Sequence, residues 1–269
     1  MSTFAALASS FIDFLTVAIH TILYERGLYP SETFLSAHKY HYAVRQSRHP
    51  RVCAWIQAAA SAVEAELLKG TIAHVALVIF SPSSEPLERF MFDLSRLPEV
   101  PPDEINTPFE RVGVPESLSQ STDKGATPSP HVAPPPDLSV NLEEQFRATM
   151  ARLSTCGSRL SPLPPDCTYT VVIENKRDVP PPIDHPQPWI PVEPRLQSER
   201  SKGKRNFAGL DEDDTQGEDW TSDRLASEPG RARTLPIRAV KAGEMIFEVW
   251  AEEGKSKNAI LAGSSAGHN

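Results

Sequence analysis

Residues 72–80 read IAHVALVIF, nine positions that are β-branched and apolar apart from one imidazole. A run of that length with no polar alternation reads as a strand covered on both faces. Ser81-Pro-Ser-Ser-Glu85 supplies a turn, and 87–94 then alternates. Phe90, Phe92 and Leu94 fall on one face and Arg89, Met91 and Asp93 on the other, so the two runs form a β-hairpin.

The segments around this hairpin supply what covers it. In 3–26, Phe4, Leu7, Phe11, Phe14, Ala18 and Ile22 recur at steps of three or four, a helix with a broad buried face. Gly27 and Pro30 end it. The aromatic-rich stretch 28–44 is expected to be extended. A second helix starts near His49-Pro50, runs through Val52, Trp55, Ile56, Ala59, Val63 and Leu67, and stops at Gly70. A third buries Leu142, Phe146, Met150 and Leu153, with Asn141 and Glu144 at the spacing of a capping box. Residues 167–174 alternate as a strand, and 234–240 with 245–251 form a last pair of strands. Strands that are mostly consecutive point to an α+β fold with an antiparallel sheet.

Two stretches lack any such pattern. Ten prolines fall within 98–139, among Ser, Thr and Asp, and 195–232 is charged, with ERSKGKR followed by LDEDD. Too few apolar side chains remain there to offset the entropy of ordering, so both are expected to be disordered insertions. The tail 254–269 is expected to be frayed. Proline is 26 of 269 residues, about twice the usual share, and ten of the 26 fall in the first of these stretches.

A formal charge of −8 argues against a general nucleic-acid binder, and no direct nucleic-acid contact is expected. Three scattered cysteines make neither a disulfide scaffold nor a zinc site. No run of 18 apolar residues occurs, and the apolar N-terminus is interrupted by Asp13, so no membrane partner is expected. The chain contains no GxGxxG, P-loop, HExxH, GxSxG or CxxC pattern, so no cofactor is expected. His38 and His41 lack the i, i+4 spacing of a helical metal pair, and nothing in the spacing supports Cys156 and His185 as nucleophile and base. Arg200–Arg205 fits a nuclear-import signal as well as it fits a solvated charge cluster. Trp189, held between Pro188 and Pro191, is the aromatic least suited to a core and best suited to anchoring a loop or clamping a ligand.

Several stretches resemble one family. FLTVAIHTILYERGLYP at 14–30 resembles the first helix of HORMA domains, and 22–34 with 87–93 resembles the spindle-checkpoint branch. His49-Pro50 with Trp55-Ile-Gln57, the strand ending TYTVV at 168–172, Pro188-Trp-Ile190, Leu235-Pro-Ile-Arg238 and Glu252-Glu253 resemble the branch of accessory subunits of translesion DNA polymerase zeta. The likeness covers 10–97, 140–192 and 233–253.

That resemblance implies a single HORMA domain over 1–253, with a central antiparallel sheet packed on three helices. It implies that 180–253 is a safety belt that wraps a partner's peptide and ends in a hairpin. The function implied is that of a non-enzymatic adaptor in translesion synthesis, nuclear and also cytoplasmic. Its partners would be a peptide of the polymerase zeta catalytic subunit, the C-terminal domain of a Rev-type scaffold polymerase, and a second HORMA protein. By the same resemblance Tyr40, Trp55 and Trp189 match peptide-site aromatics, and Arg147 matches the arginine of a dimer face. Thr234, Leu235, Glu248 and Trp250 lie on the scaffold-polymerase surface. The alternatives are a spindle-checkpoint or meiotic HORMA protein and, from another class, an enzyme of unrecognised family.

Overall fold

The computed structural model describes residues 3–109, 138–176, 233–254 and 257. Three helices lie against an antiparallel sheet. Helix α1 (Phe4–Glu25) starts at Thr3, whose hydroxyl accepts the Ala6 N–H at 3.2 Å. It ends in a Schellman turn: the Gly27 N–H bonds Tyr24 O and the Leu28 N–H bonds Leu23 O, with Gly27 at φ +63°. By length and mean hydropathy, 1.7, α1 could cross a membrane, but 67% of that window is buried in the fold. Its apolar stripe is the floor of the core.

Strands β1 (Phe34–Lys39) and β2 (Tyr42–Ser47) follow, then helix α2 (Pro50–Leu67), with Pro50 in its first turn. Strands β3 (Ile72–Phe80) and β4 (Pro86–Asp93) come next, then helix α3 (Leu138–Cys156) and strands β5 (Thr168–Asn175), β6 (Arg233–Ala242) and β7 (Met245–Glu253). The main sheet has the order β5-β3-β4-β7-β6, antiparallel throughout. β3, the apolar run, is buried on both faces for most of its length, as its composition requires. Phenylalanines join the layers. Phe14 of α1 stacks on Phe146 of α3 at 4.7 Å, Phe11 meets Phe247 of β7 edge-on at 5.4 Å, and Phe14 meets Phe92 of β4 at 6.2 Å.

Four expectations need correction. The extended stretch 28–44 contains a short 3-10 turn (Ser31–Thr33) and then one arm and part of the other of the β1–β2 hairpin, which stands apart from the main sheet. Its tip is a two-residue loop, Tyr40 and His41 at φ +55° and +52°, between the paired Lys39 and Tyr42. Left-handed loops of this kind ordinarily carry Gly or Asn, so Tyr40 and His41 do not announce a turn. The capping box is also absent: α3 begins at Leu138, which puts Asn141 inside the helix, and Glu144 instead pairs with Arg147 at 3.2 Å. Part of the proline-rich stretch is built into the fold. Ile105 O accepts the Ala5 N–H at 3.0 Å, Thr3 bridges Pro108, and Phe109 packs against the core. In the tail, Gly254 and Lys257 are tied to the sheet. The remainder of both insertions, the basic run 200–205, His185 and Trp189 lie outside the described residues.

Candidate functional site: the open edge of the sheet

The two edges of the main sheet differ in kind. β6 carries Pro236, an irregularity between Pro236 and Arg238, and the cations Arg233, Arg238 and Lys241. Helix α3 also covers it: Arg152 Nη1 donates to Ile237 O at 3.0 Å, and Arg238 Nη2 donates to Gln145 Oε1 at 2.9 Å. Proline, bulges, positive charge and a covering helix are the usual devices for blunting an edge.

Among the described residues β5 lacks most of them, and the irregularity in its pairing falls on β3, between Ile72 and His74. Its sequence, TYTVVIEN, holds neither proline nor a cation, and among the described residues no strand pairs with its outer side. Its register with β3 sets Tyr169, Val171 and Ile173 opposite the core residues Ile79, Leu77 and Val75, which places these three on the helix side. An edge of this composition is a ready template for another extended chain.

Aromatic side chains flank it. The Trp55 ring on α2 meets the Tyr169 ring edge-on, 4.9 Å between centroids and 88° between planes. Tyr169 in turn meets Tyr29 at 6.1 Å, and the two hydroxyls lie 3.1 Å apart. Burial, and then the bond to Tyr29, push the Tyr169 phenol well above its ordinary pKa, so it stays neutral. Trp55 and Tyr169 are only partly buried, so each keeps surface for a ligand. The wall therefore combines a platform of three rings with unpaired backbone groups, the two elements of β-augmentation.

Trp55 is thus the expected peptide-site residue that the structure sets beside this edge. Tyr29 and Tyr169 join it without having been singled out in the sequence. The available signal was the alternation of the strand, which puts Tyr169 on the same side as Val171 and Ile173. Tyr40 is elsewhere. It sits at the β1–β2 tip with its ring on Phe146 of α3 at 5.2 Å, and no ring contact among the described residues joins it to Trp55 or Tyr169. Its hydroxyl is buried without a hydrogen-bond partner, and burial together with Asp13 and Glu143 raises its pKa. The hairpin packs toward α1 and α3, so Tyr40 stands apart from the Trp55–Tyr169 pair.

Arg147 is exposed on α3 and pairs with Glu144 of its own helix. On the β6–β7 hairpin, Thr234 pairs in register with Glu252, and Pro236 with Trp250. Thr234 and Glu248 are exposed, and Trp250 is partly exposed with its Nε1 donating to Glu252 Oε1 at 2.8 Å. Leu235 does not belong with them. It points to the opposite face, is 3% exposed and lies in the core beside Ala251, because neighbouring positions of a strand alternate.

Burial pushes the Cys156 thiol up to about 12, which removes the thiolate a nucleophile requires. Among the described residues no three His, Cys, Asp or Glu side chains are placed to hold a metal ion.

Comparison with known proteins agrees with this architecture. A family model described as HORMA domain matches residues 11–190. The DNA polymerase zeta processivity subunit of Schizosaccharomyces pombe is 28% identical over 243 residues, 90% of this chain and 91% of that protein. The zebrafish (Danio rerio) mitotic spindle assembly checkpoint protein MAD2B is 29% identical over 170 residues, 63% of this chain and 66% of that one. Among solved structures, a chain of the mitotic checkpoint complex superposes with a TM-score of 0.58 at 18% identity, covering 92% of this chain and 98% of its own. Caenorhabditis elegans HTP-2 bound to a HIM-3 closure motif gives 0.51 at 14%, covering 94% and 92%. With a family model spanning more than half its length and the same helix-on-sheet architecture, this chain belongs to the HORMA domain family.

Proposed function

We propose that this protein is a non-enzymatic adaptor that takes up a peptide as an added strand on β5 and holds it beneath the 177–232 connection. The observation that carries the reading is the unblunted β5 edge beside Trp55, Tyr29 and Tyr169. Topology adds to it. The chain leaves the sheet at β5 and returns at β6, on the far edge. Four strand spacings separate the two, about 19 Å. A connection that starts at the peptide's edge and must reach the opposite one is suited to retaining what lies there. Trp189, within that connection, is the residue we assign to closing over the peptide.

The peptide is assigned to the catalytic subunit of polymerase zeta, because the fission-yeast relative named as the processivity subunit of that polymerase matches nine-tenths of both chains. Within the same reading, the outer face around Thr234, Glu248 and Trp250 receives the C-terminal domain of a Rev-type scaffold polymerase. Arg147 lies on a face for a second HORMA protein, and the protein works in the nucleus. The second reading, a checkpoint adaptor, draws on the zebrafish relative named for the spindle checkpoint.

A competition experiment separates them. A catalytic-subunit peptide and a checkpoint-partner peptide from the same organism compete for the purified chain, followed by fluorescence anisotropy and dissociation rate. Tight, slowly released binding of the polymerase peptide is expected, since most affinity tuning lies in the off-rate. Preference for the checkpoint peptide moves the protein to mitosis, and binding of neither defeats the adaptor reading.

A further inference from the structure

Strands β4 and β7 pair with Glu88 directly opposite Glu253. Both are buried, at 1% and 7% exposure. Like charges facing each other across a ladder destabilise the pairing, and buried ones more so. Arg26 takes up Glu88 and Arg233 one oxygen of Glu253, and a residue from beyond the strand bridges the two carboxylates. Lys257, itself 0% exposed, returns its ammonium group to Glu88 Oε1, to Glu253 Oε1 at 2.8 Å and to Ser161 O at 2.6 Å. An ammonium has three donors, and all three are used.

The return is made possible by Gly254. Its N–H bonds Leu87 O at 2.7 Å and its carbonyl accepts the Lys257 N–H at 3.2 Å. A Cβ at this glycine would stand 2.6 Å from Pro86 O, so any side chain would lift the turn off β4. The rest of the cluster is fully partnered. Arg26, at the end of α1, donates Nε and Nη2 to Glu88 at 2.8 and 2.6 Å and also reaches Gly157 O and Ser161 O. Ser161 N–H donates to Glu253 Oε1 at 2.7 Å, and Arg233 of β6 pairs with Glu253 Oε2 at 3.5 Å. The hydrogen bonds from Lys257 and Ser161 hold the Glu253 carboxyl below its ordinary pKa although burial, the largest single influence, acts the other way.

We infer that Lys257 is a latch: by bridging the facing carboxylates of β4 and β7, alongside Arg26 and Arg233, it fixes the β6–β7 hairpin to the sheet. The hairpin's hold on β4 thus depends on a charge delivered from outside the strands. For the release of a bound ligand, this inference rests on the adaptor reading above; for the hairpin itself it does not.

The test is amide hydrogen exchange on the full chain, without any peptide. In the wild type, the amides of Trp250, Glu252 and Gly254, the β7 positions that face β4, should exchange as slowly as those of β3. Lys257→Met keeps the length and removes the charge, and should speed exchange along β7 by about a hundredfold, the scale of a broken buried ion pair. The double variant Lys257→Met with Glu253→Gln should recover at least about tenfold of that, since the carboxylate repulsion is relieved. Simple loss of packing would not be rescued by Glu253→Gln. Unprotected β7 amides in the wild type, unchanged protection in Lys257→Met, or no rescue in the double variant would each overturn the latch. If Lys257→Met does not fold, the wild-type exchange pattern alone still decides. Peptide dissociation from the same variants is the second readout: faster release that follows hairpin opening extends the latch to the ligand. If none of the proteins binds peptide while β7 responds as described, the adaptor reading falls and the latch stands.

Discussion

Trp55→Ala probes the candidate site most directly, and its effect divides into two parts of calculable size. A Trp side chain offers about 250 Å². Trp55 keeps a minor share of that exposed, up to about 80 Å², for a ligand to cover. At about 25 cal/mol per Å², covering it contributes about 2 kcal/mol to binding, or about thirtyfold in Kd. The same substitution removes the edge-on contact with Tyr169, about 1 kcal/mol, and the indole area already buried against the strand. The variant should therefore also lose about 2–4 kcal/mol of stability, slightly less than a fully buried aromatic. The two parts are read separately, stability from urea unfolding and affinity by anisotropy under conditions where the variant is fully folded. Tyr29→Phe is the control, because it removes one hydroxyl from the wall and leaves every ring in place. A folded Trp55→Ala protein with wild-type affinity and release rate would refute the assignment of the β5 edge as the ligand site, since no ligand could pair there without covering that ring.

His20 is buried on α1 and its Nδ1 accepts the Ser47 N–H at 3.3 Å, while burial lowers its pKa below 6.5. Neutral His20 is the folded form, so its contribution is whole above pH 6.5 and declines as the pH falls below it, when the unfolded chain takes up the proton first. Urea midpoints should drop between pH 7.5 and 5.5, and His20→Asn should flatten part of that slope; an identical slope in the variant would place the dependence elsewhere. Arg147→Ala should weaken self-association in sedimentation experiments and leave peptide affinity unchanged, and an unaltered oligomer profile counts against the α3 face. Deletion of residues 199–230 should still permit a slowly dissociating complex, because loop-closure entropy changes only slowly with length; loss of binding would mean that the segment contributes contacts.

Much of the fold was legible because its signals are local. The Phe4-to-Ile22 stripe, the apolar run of β3 and the alternation of β4 dictate their own elements, and the chain places them as read. What stayed hidden depends on tertiary contact. The β1–β2 turn puts Tyr40 and His41 in a conformation their side chains disfavour, held by the ladder on either side and by the packing of Tyr40 on Phe146. Tyr29 and Tyr169 lie far apart in the chain, and only the fold makes them one wall with Trp55. Lys257 was the least visible of all. In sequence it is one lysine of a polar tail, and its importance appears only once β4 and β7 bring two glutamates face to face.

The sheet's strand order links the latch to the open edge. Without β6 and β7 the sheet would be β5-β3-β4, with a free edge on each side. β7 takes the β4 edge, and β6 carries the blunting features that close off that side. That arrangement leaves β5 as the edge able to accept a strand. A hairpin detached from β4 would expose the β4 edge as well, and the sheet would then offer two competing templates instead of one. Lys257 acts at the register position where two buried glutamates face each other. On the latch and adaptor readings together, securing β7 to β4 confines strand addition to the side where Trp55 and Tyr169 stand.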